Sequence, residues 1–179
     1  MNNIPFTQTF SDWASLAGYQ LIAKNNECLV TDFGETSYDI RSSDGMYSLT
    51  SRQRSVEQFL MSSIDVVDSE RFLTALLGDD IRACRHLPRI SYAAQLTDIC
   101  PDCQIVDEGE NRLILVDGLG QNRAIFRSPI DIADDVIWFS WILDAPLENL
   151  RASYLNPNGR PLFPECRIGP KSGVPFSNR

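Results

Sequence analysis

Cys100-Pro-Asp-Cys103 is the arrangement in this chain best suited to chemistry, because two thiolates at that spacing can chelate a metal or exchange as a redox pair. A zinc site needs two further ligands at comparable spacing, and only the isolated Cys84, His86 and Cys166 are on offer. A thioredoxin-like pair opens a helix whose N-terminus lowers the thiol pKa, whereas strand-like Gln104-Ile105-Val106 follows here. Structural cysteines at a Pro-Asp turn are therefore the favoured reading. A metal-binding or redox module built on these cysteines and His86 is the alternative.

His86 is the only histidine, so any His-dependent triad must use it. No Gly-x-Ser-x-Gly elbow or Cys-His signature accompanies it, and it reads as a cation at a helix C-terminus. Asp79 and Asp80 fall at a predicted helix start, where acids are expected, and Asp131, Asp134 and Asp135 lack a calcium-loop pattern. Gly118-Leu-Gly120 lies between two predicted strands and reads as a hairpin turn, not a phosphate loop. Trp13, Trp138 and Trp141 sit on apolar stripes, where core packing comes before ligand stacking for Trp13 and for at least one of the other two, which strand alternation places on opposite faces. With no catalytic set complete, the chain is expected to be a binder that uses no metal or cofactor.

At 179 residues, 43% hydrophobic and 22% charged, the sequence fits one globular domain over 1–179, able to bury a core without disulfides. Its formal charge of −8 repels nucleic acid and anionic membranes and favours a basic partner. The longest nearly unbroken apolar run, Val136 to Leu143, is less than half of the ~20 residues of a membrane-spanning helix. No signal peptide pattern opens the chain, and the five cysteines are odd in number and irregular in spacing, so a cytoplasmic location is expected.

The elements that must position any site begin with a short helix, Phe10 to Ala17, capped by Thr9 or Ser11 and ended by Gly18. Tyr19 to Arg54 then reads as an antiparallel meander. Its predicted strand faces are Tyr19, Leu21 and Ala23; Leu29, Thr31 and Phe33; Tyr38 and Ile40; and Tyr47 and Leu49. Asn25-Asn26, Gly34 and Asp44-Gly45 punctuate it. After Arg54 the period turns helical: Ser55 and Gln58 form a capping box ahead of Val56, Phe59, Leu60 and Ile64. A second helix from Asp68 stops at Gly78, and a third runs from Asp79 to His86. Arg112 to Val116 and Arg123 to Arg127 form a later hairpin, and Val136 to Leu143 reads as a strand from its β-branched and aromatic content. Pro146 opens a last helix closed by Asn156-Pro-Asn-Gly159, and the Pro/Gly-rich tail from about 157 is expected to be extended or loosely ordered. The class is α+β: an antiparallel sheet, the N-terminal meander plus the later hairpin strands, with helices packed on one face.

The segment Trp13-Ala-Ser-Leu-Ala-Gly-Tyr19, followed by a meander and by the Leu113 to Val116 and Ala124 to Phe126 hairpin, resembles the immunity proteins with which bacteria guard themselves against their own secreted polymorphic toxins. In length, acidity and the later hairpin pattern it resembles in particular the mycobacterial immunity factors for tuberculosis necrotizing toxin. The resemblance implies a one-to-one complex with a secreted NAD-hydrolysing toxin domain, whose NAD site the antitoxin covers in the producer's cytosol. Inhibition of that kind needs a rigid platform whose acids replace the cofactor's phosphates against basic groups. The exposed side of the meander and its turns, with Asp32, Glu35, Asp39, Asp44 and Tyr47, is the candidate partner-binding surface. A non-catalytic adaptor or structural interaction protein is the competing reading.

Overall fold

The computed structural model describes residues 4, 6, 8–92, 96–127, 132–163 and 167–168. Helix α1 (Gln8–Leu16) leads into β1 (Gln20–Lys24), β2 (Glu27–Thr31), β3 (Thr36–Ser43), β4 (Met46–Gln53) and β5 (Val56–Ser63). Helix α2 (Val66–Cys84) follows, then β6 (Ser91–Tyr92), a 3-10 turn at Leu96–Asp98, β7 (Gln104–Asp107), β8 (Arg112–Val116) and β9 (Asn122–Arg127). Helices α3 (Ile132–Ile142) and α4 (Leu147–Leu155) precede β10 (Arg167–Ile168). Eight strands make one antiparallel sheet in the order β1-β2-β3-β4-β5-β9-β8-β7, and β10 pairs in parallel with β6.

The register explains the core. Cys28, Ile40, Leu49, Met61, Phe126 and Leu113 stand opposite one another from β2 across to β8, so six strands contribute one buried row. Helices α1, α2 and α3 lie on that face. Phe72 of α2 meets Phe126 of β9 and both Trp138 and Phe139 of α3, with ring centroids 5.0 to 6.0 Å apart. Trp13 of α1 donates its indole N–H to the Thr74 carbonyl of α2 at 2.9 Å, which places this tryptophan in the core as its stripe implied.

Several local readings are corrected. Residues 56–63 are a strand, not a helix. Arg54 and Ser55 both adopt positive φ, the geometry of a two-residue hairpin turn, and a bulge opposite Leu49 and Thr50 leaves Leu60 without a register partner. That extra residue sets Phe59, Leu60 and Met61 in an apolar run that imitates helical spacing. On β2 the buried residues are Cys28 and Val30, with Thr31 after them; Leu29 is only partly covered and Phe33 lies beyond the strand in the turn. Helix α1 starts at Gln8, so Thr9 and Ser11 lie inside it instead of capping it.

Helix α2 is continuous through Gly78 and takes Asp65 as its N-cap, where the sequence reading placed two helices. Gly78 does not end the helix; it admits α4. A β-carbon there would stand 2.4 Å from the Tyr154 ring. The Val136 to Leu143 run lies in α3 and its end, apolar nearly all round because the sheet covers one side and the 96–103 segment the other. On that outer side Trp141 donates to the Asp98 carbonyl at 2.8 Å, and Ser140 Oγ accepts the Cys100 amide. Trp138 is buried, so neither tryptophan makes the two-faced strand pair that alternation implied. Of the tail from about 157, residues 157–163 and 167–168 are described, and the buried Phe163 ring packs edge-on against Tyr154 at 5.4 Å; the rest of the tail expected to be extended or loosely ordered lies outside the described residues.

Two predictions follow from α2. Gly78→Ala gains up to ~1 kcal/mol of helix propensity but drives a methyl into an aromatic ring, and overpacking of this kind costs about 1–3 kcal/mol. A lower urea midpoint than wild type is expected despite the better helix former. Asp79, partly buried on α2, is pushed up to about 7 chiefly by burial, against the opposing pull of Arg89 and with Asp80 adding to the rise. A carboxyl raised in the folded state stabilises fully below its unfolded value of ~3.9 and loses that contribution as pH rises through its folded value. Asp79→Asn should therefore melt with wild type near pH 4 and above it at pH 8.

Candidate functional site

Alternation leaves the second face of β1 to β5 without a helix against it among the described residues. Ile22, Leu29, Asp39, Thr50 and Phe59 form one row across it. Charge on this face is paired: Arg41 contacts Asp39 at 2.6 Å and Glu27 at 3.5 Å, and Arg52 contacts Glu57 at 3.0 Å. Exposed pairs of this sort are worth about 0–1 kcal/mol, so a partner can exchange them without unsettling the fold.

The five expected binding residues do not form one cluster. Asp39 lies on the open face. Asp32 and Glu35 occupy the β2–β3 turn at one rim of the sheet, and Asp44 occupies the β3–β4 turn at the other, about 26 Å away at ~3.3 Å per residue along β3. Tyr47 shares the parity of buried Leu49, so it faces the helices and packs against the core instead of belonging to the open side.

The rim that carries Asp32 is built in detail. Asp32 Oδ1 accepts the amides of Gly34 at 2.8 Å and Thr36 at 3.2 Å, and Thr31 Oγ1 accepts the Phe33 amide at 3.0 Å. Phe33 is held at φ 57° with 66% of its surface exposed. Arg54, in the neighbouring β4–β5 turn, donates to the Glu35 carboxylate at 2.7 Å and, through its amide, to the Glu35 carbonyl at 3.1 Å. The two turns are thereby tied together. Behind them Tyr19 donates its hydroxyl to Asp80 of α2 at 3.1 Å. Burial raises the Asp80 carboxyl, the Tyr19 hydrogen bond opposes this, and the Asp32 charge adds to it. Tyr38, beside Tyr19, is pushed up to about 12, first by burial and then by Asp80.

Asp80, read from sequence as one of the acids at a helix start, and Phe33, read as sharing a strand face with Leu29 and Thr31, are thus part of this rim. Burial of Cys28 and Val30 takes Leu29, and with it Phe33, off the buried face by parity, and the positive φ of Phe33 places it in the turn.

The described chemistry candidates take the following places. The Cys103 amide donates to the Cys100 carbonyl at 2.9 Å, closing the Pro-Asp turn. Burial pushes the Cys103 thiol up to about 12, and Cys28 likewise. No group of three or more metal-ligating side chains gathers among the described residues, and Cys166 and Asp131 lie outside them. His86 is exposed at the turn that follows α2, at φ 56°. A hollow of about 210 Å³ at the β7–β8 turn, lined by Glu108, Gly109, Glu110, Arg112 and Arg127, falls below the ~300 Å³ of small-ligand sites. Because the thiolate is the reactive form, Cys28 and Cys103 should resist iodoacetamide at pH 8 in the native protein, while exposed Cys84 is alkylated; mass mapping with and without urea checks this.

Comparison with known proteins completes the picture. The sequence is 28% identical over 171 residues to the immunity factor for TNT of Mycobacterium tuberculosis (strain ATCC 25618 / H37Rv) and, equally, to its homolog in Mycobacterium bovis (strain BCG / Pasteur 1173P2), covering 89% of this chain and 93% of each relative. The solved structure of Rv3902c from M. tuberculosis matches with a TM-score of 0.77 at 26% identity, over 90% of this chain and 95% of that one. The sequence profile of the family described as Immunity protein 61 matches residues 13–162, and the chain belongs to that family.

Proposed function

We propose that this chain is the antitoxin of a secreted NAD-hydrolysing toxin, which it binds one to one in the cytosol of the producing cell and inhibits by covering the NAD site. The observation that carries this reading is the likeness to immunity factors for TNT over nearly the whole of both chains, within a family of immunity proteins. The physical features agree with a binder. The net charge of −8 suits a partner that is basic where it holds a dinucleotide's phosphates.

Of the expected binding residues, Asp32, Glu35 and Asp39 lie near enough to fall under one partner. An interface of standard size buries about 800 Å² a side, so one centred on the Asp32 rim reaches Asp39 and leaves Asp44 at its border. Tyr47 contributes from the covered face by supporting β4 and not by touching the toxin.

The test is inhibition in trans. Purified chain added to the toxin domain encoded beside it should abolish NAD hydrolysis at a one-to-one ratio, co-elute with it, and hydrolyse no NAD by itself. Persistent NAD loss at molar excess, with no complex on size exclusion, overturns the proposal.

A further inference from the structure

We infer that Phe33 is the anchor by which this chain seats its partner, entering a cleft with an apolar floor and a basic rim that takes Asp32 and Asp80; the inference rests on the antitoxin reading and names the surface it uses. Three observations carry it, beginning with backbone strain. A bulky residue at φ 57° is an outlier, since a left-handed conformation costs roughly 1–2 kcal/mol for a residue with a β-carbon. Asn or Gly would occupy this turn more cheaply, and a phenyl ring 66% exposed returns nothing to the fold. Strain of this kind, fixed by surrounding hydrogen bonds, is typical of ligand clamps. Here the Thr31 hydroxyl and the Asp32 carboxylate fix it, and the Arg54 contacts to Glu35 brace the turn against its neighbour. The backbone that carries the ring is therefore fixed before binding, which lowers the ordering cost.

The second observation is the company Phe33 keeps. Single exposed apolar residues are ordinary. This rim gathers three, because β1 and β5 begin where β2 ends: Leu16 at 44% exposure, Phe33, and Val56 at 70%. An aromatic at the centre of such a patch is the usual composition of an interface core.

Charge is the third. Asp32 and Asp80 stand close enough for Asp32 to raise the Asp80 carboxyl, and among the described residues neither has a basic side chain in contact. A partner's Lys or Arg relieves that repulsion. At the opposite rim Leu119 is 83% exposed and Ile64 is exposed too, yet there Asp68, Asp117 and Asp144 are all engaged by Arg123. Around Leu119 the apolar surface therefore has its nearest carboxylates already paired, whereas the apolar residues of the Phe33 rim stand beside Asp32 and Asp80, and it is this rim that is complementary to a basic cleft.

The experiment measures binding of the neighbouring toxin domain to full-length variants by calorimetry, with a thermal melt of each. Phe33→Asn and Phe33→Gly should melt at or above wild type, because both relieve the turn, and should bind about 30-fold or more weakly, as loss of a hot spot does. Leu119→Asn should bind as wild type. Asp32→Asn keeps the amide acceptor that shapes the turn and should slow association and flatten its salt dependence. Wild-type binding together with unchanged affinity in both Phe33 variants overturns this inference while leaving the antitoxin reading intact. Loss in Leu119→Asn instead moves the anchor to the opposite rim and equally overturns it. Absence of wild-type binding removes the antitoxin reading itself.

Discussion

A guanidinium with almost no access to water organises the helical side of this molecule. Arg82, 1% exposed, donates Nε to the Pro88 carbonyl at 2.7 Å, Nη1 to the carbonyls of Ser153, Tyr154 and Asn156 at 3.3, 3.0 and 2.7 Å, and Nη2 to that of Pro157 at 3.1 Å. These acceptors include the last carbonyls of α4, which have no partner inside their own helix and carry its negative dipole end. One side chain thereby caps α4, closes the turn after α2 and fixes how the two helices approach. That approach is close enough to require Gly78 beneath Tyr154, and it is reinforced by Arg151 reaching Glu70 at 2.8 Å. Breaking a buried ionic contact costs about 3–5 kcal/mol, against 0–1 for a surface pair, so these charges and not those of the open face decide the packing.

The other end of α2 is pinned in the mirror sense. Asp68, fully buried in the first turn where the dipole favours an anion, accepts from Ser63 of β5 at 3.0 Å, Arg71 at 2.9 Å and Arg123 of β9 at 3.1 Å. Arg71 continues to the Ala145 carbonyl and Arg123 to Asp117 and Asp144. The junction where β5 meets β9, the step that joins the meander to the later hairpin, is thus locked to the same helix that Arg82 locks to α4. With α2 fixed at both ends beneath β4 and β5, the far side of the meander is free of structural duty.

Legibility from sequence divides along the same line. The meander, both hairpin turns with Asn or Asp-Gly signals, and β8 with β9 were readable because their information is local: side-chain parity and turn residues that tolerate positive φ. What misled was tertiary. Gly78 looks like a helix stop because nothing local tells of Tyr154, 76 residues later in the chain. Residues 56–63 look helical because the bulge that places Leu60 exists only once β5 is paired. Val136 to Leu143 looks like a strand because a helix buried on both sides loses the 3.6-residue period that identifies one. At the candidate site the acids of the turns were visible, but Asp80 reaches Asp32 only through the α2 packing that Arg82 enforces, and Tyr47 was assigned to the open side against its own parity with Leu49.

The distribution of charge then separates scaffold from surface. Wherever a carboxylate holds the fold together, as at Asp68, Glu70 and Asp117, an arginine lies within 3.3 Å. At the Phe33 rim Glu35 is paired with Arg54, but Asp32 spends its oxygen on backbone amides and Asp80 on a tyrosine hydroxyl, so these two keep their charge uncompensated. Hydrogen bonds to neutral donors fix the geometry of a carboxylate without cancelling its field. A fold that needed only stability would place a base beside them and a glycine at Phe33. This one holds an aromatic ring in a strained backbone next to uncompensated negative charge, a combination that an apolar pocket and a cation on another molecule would relieve.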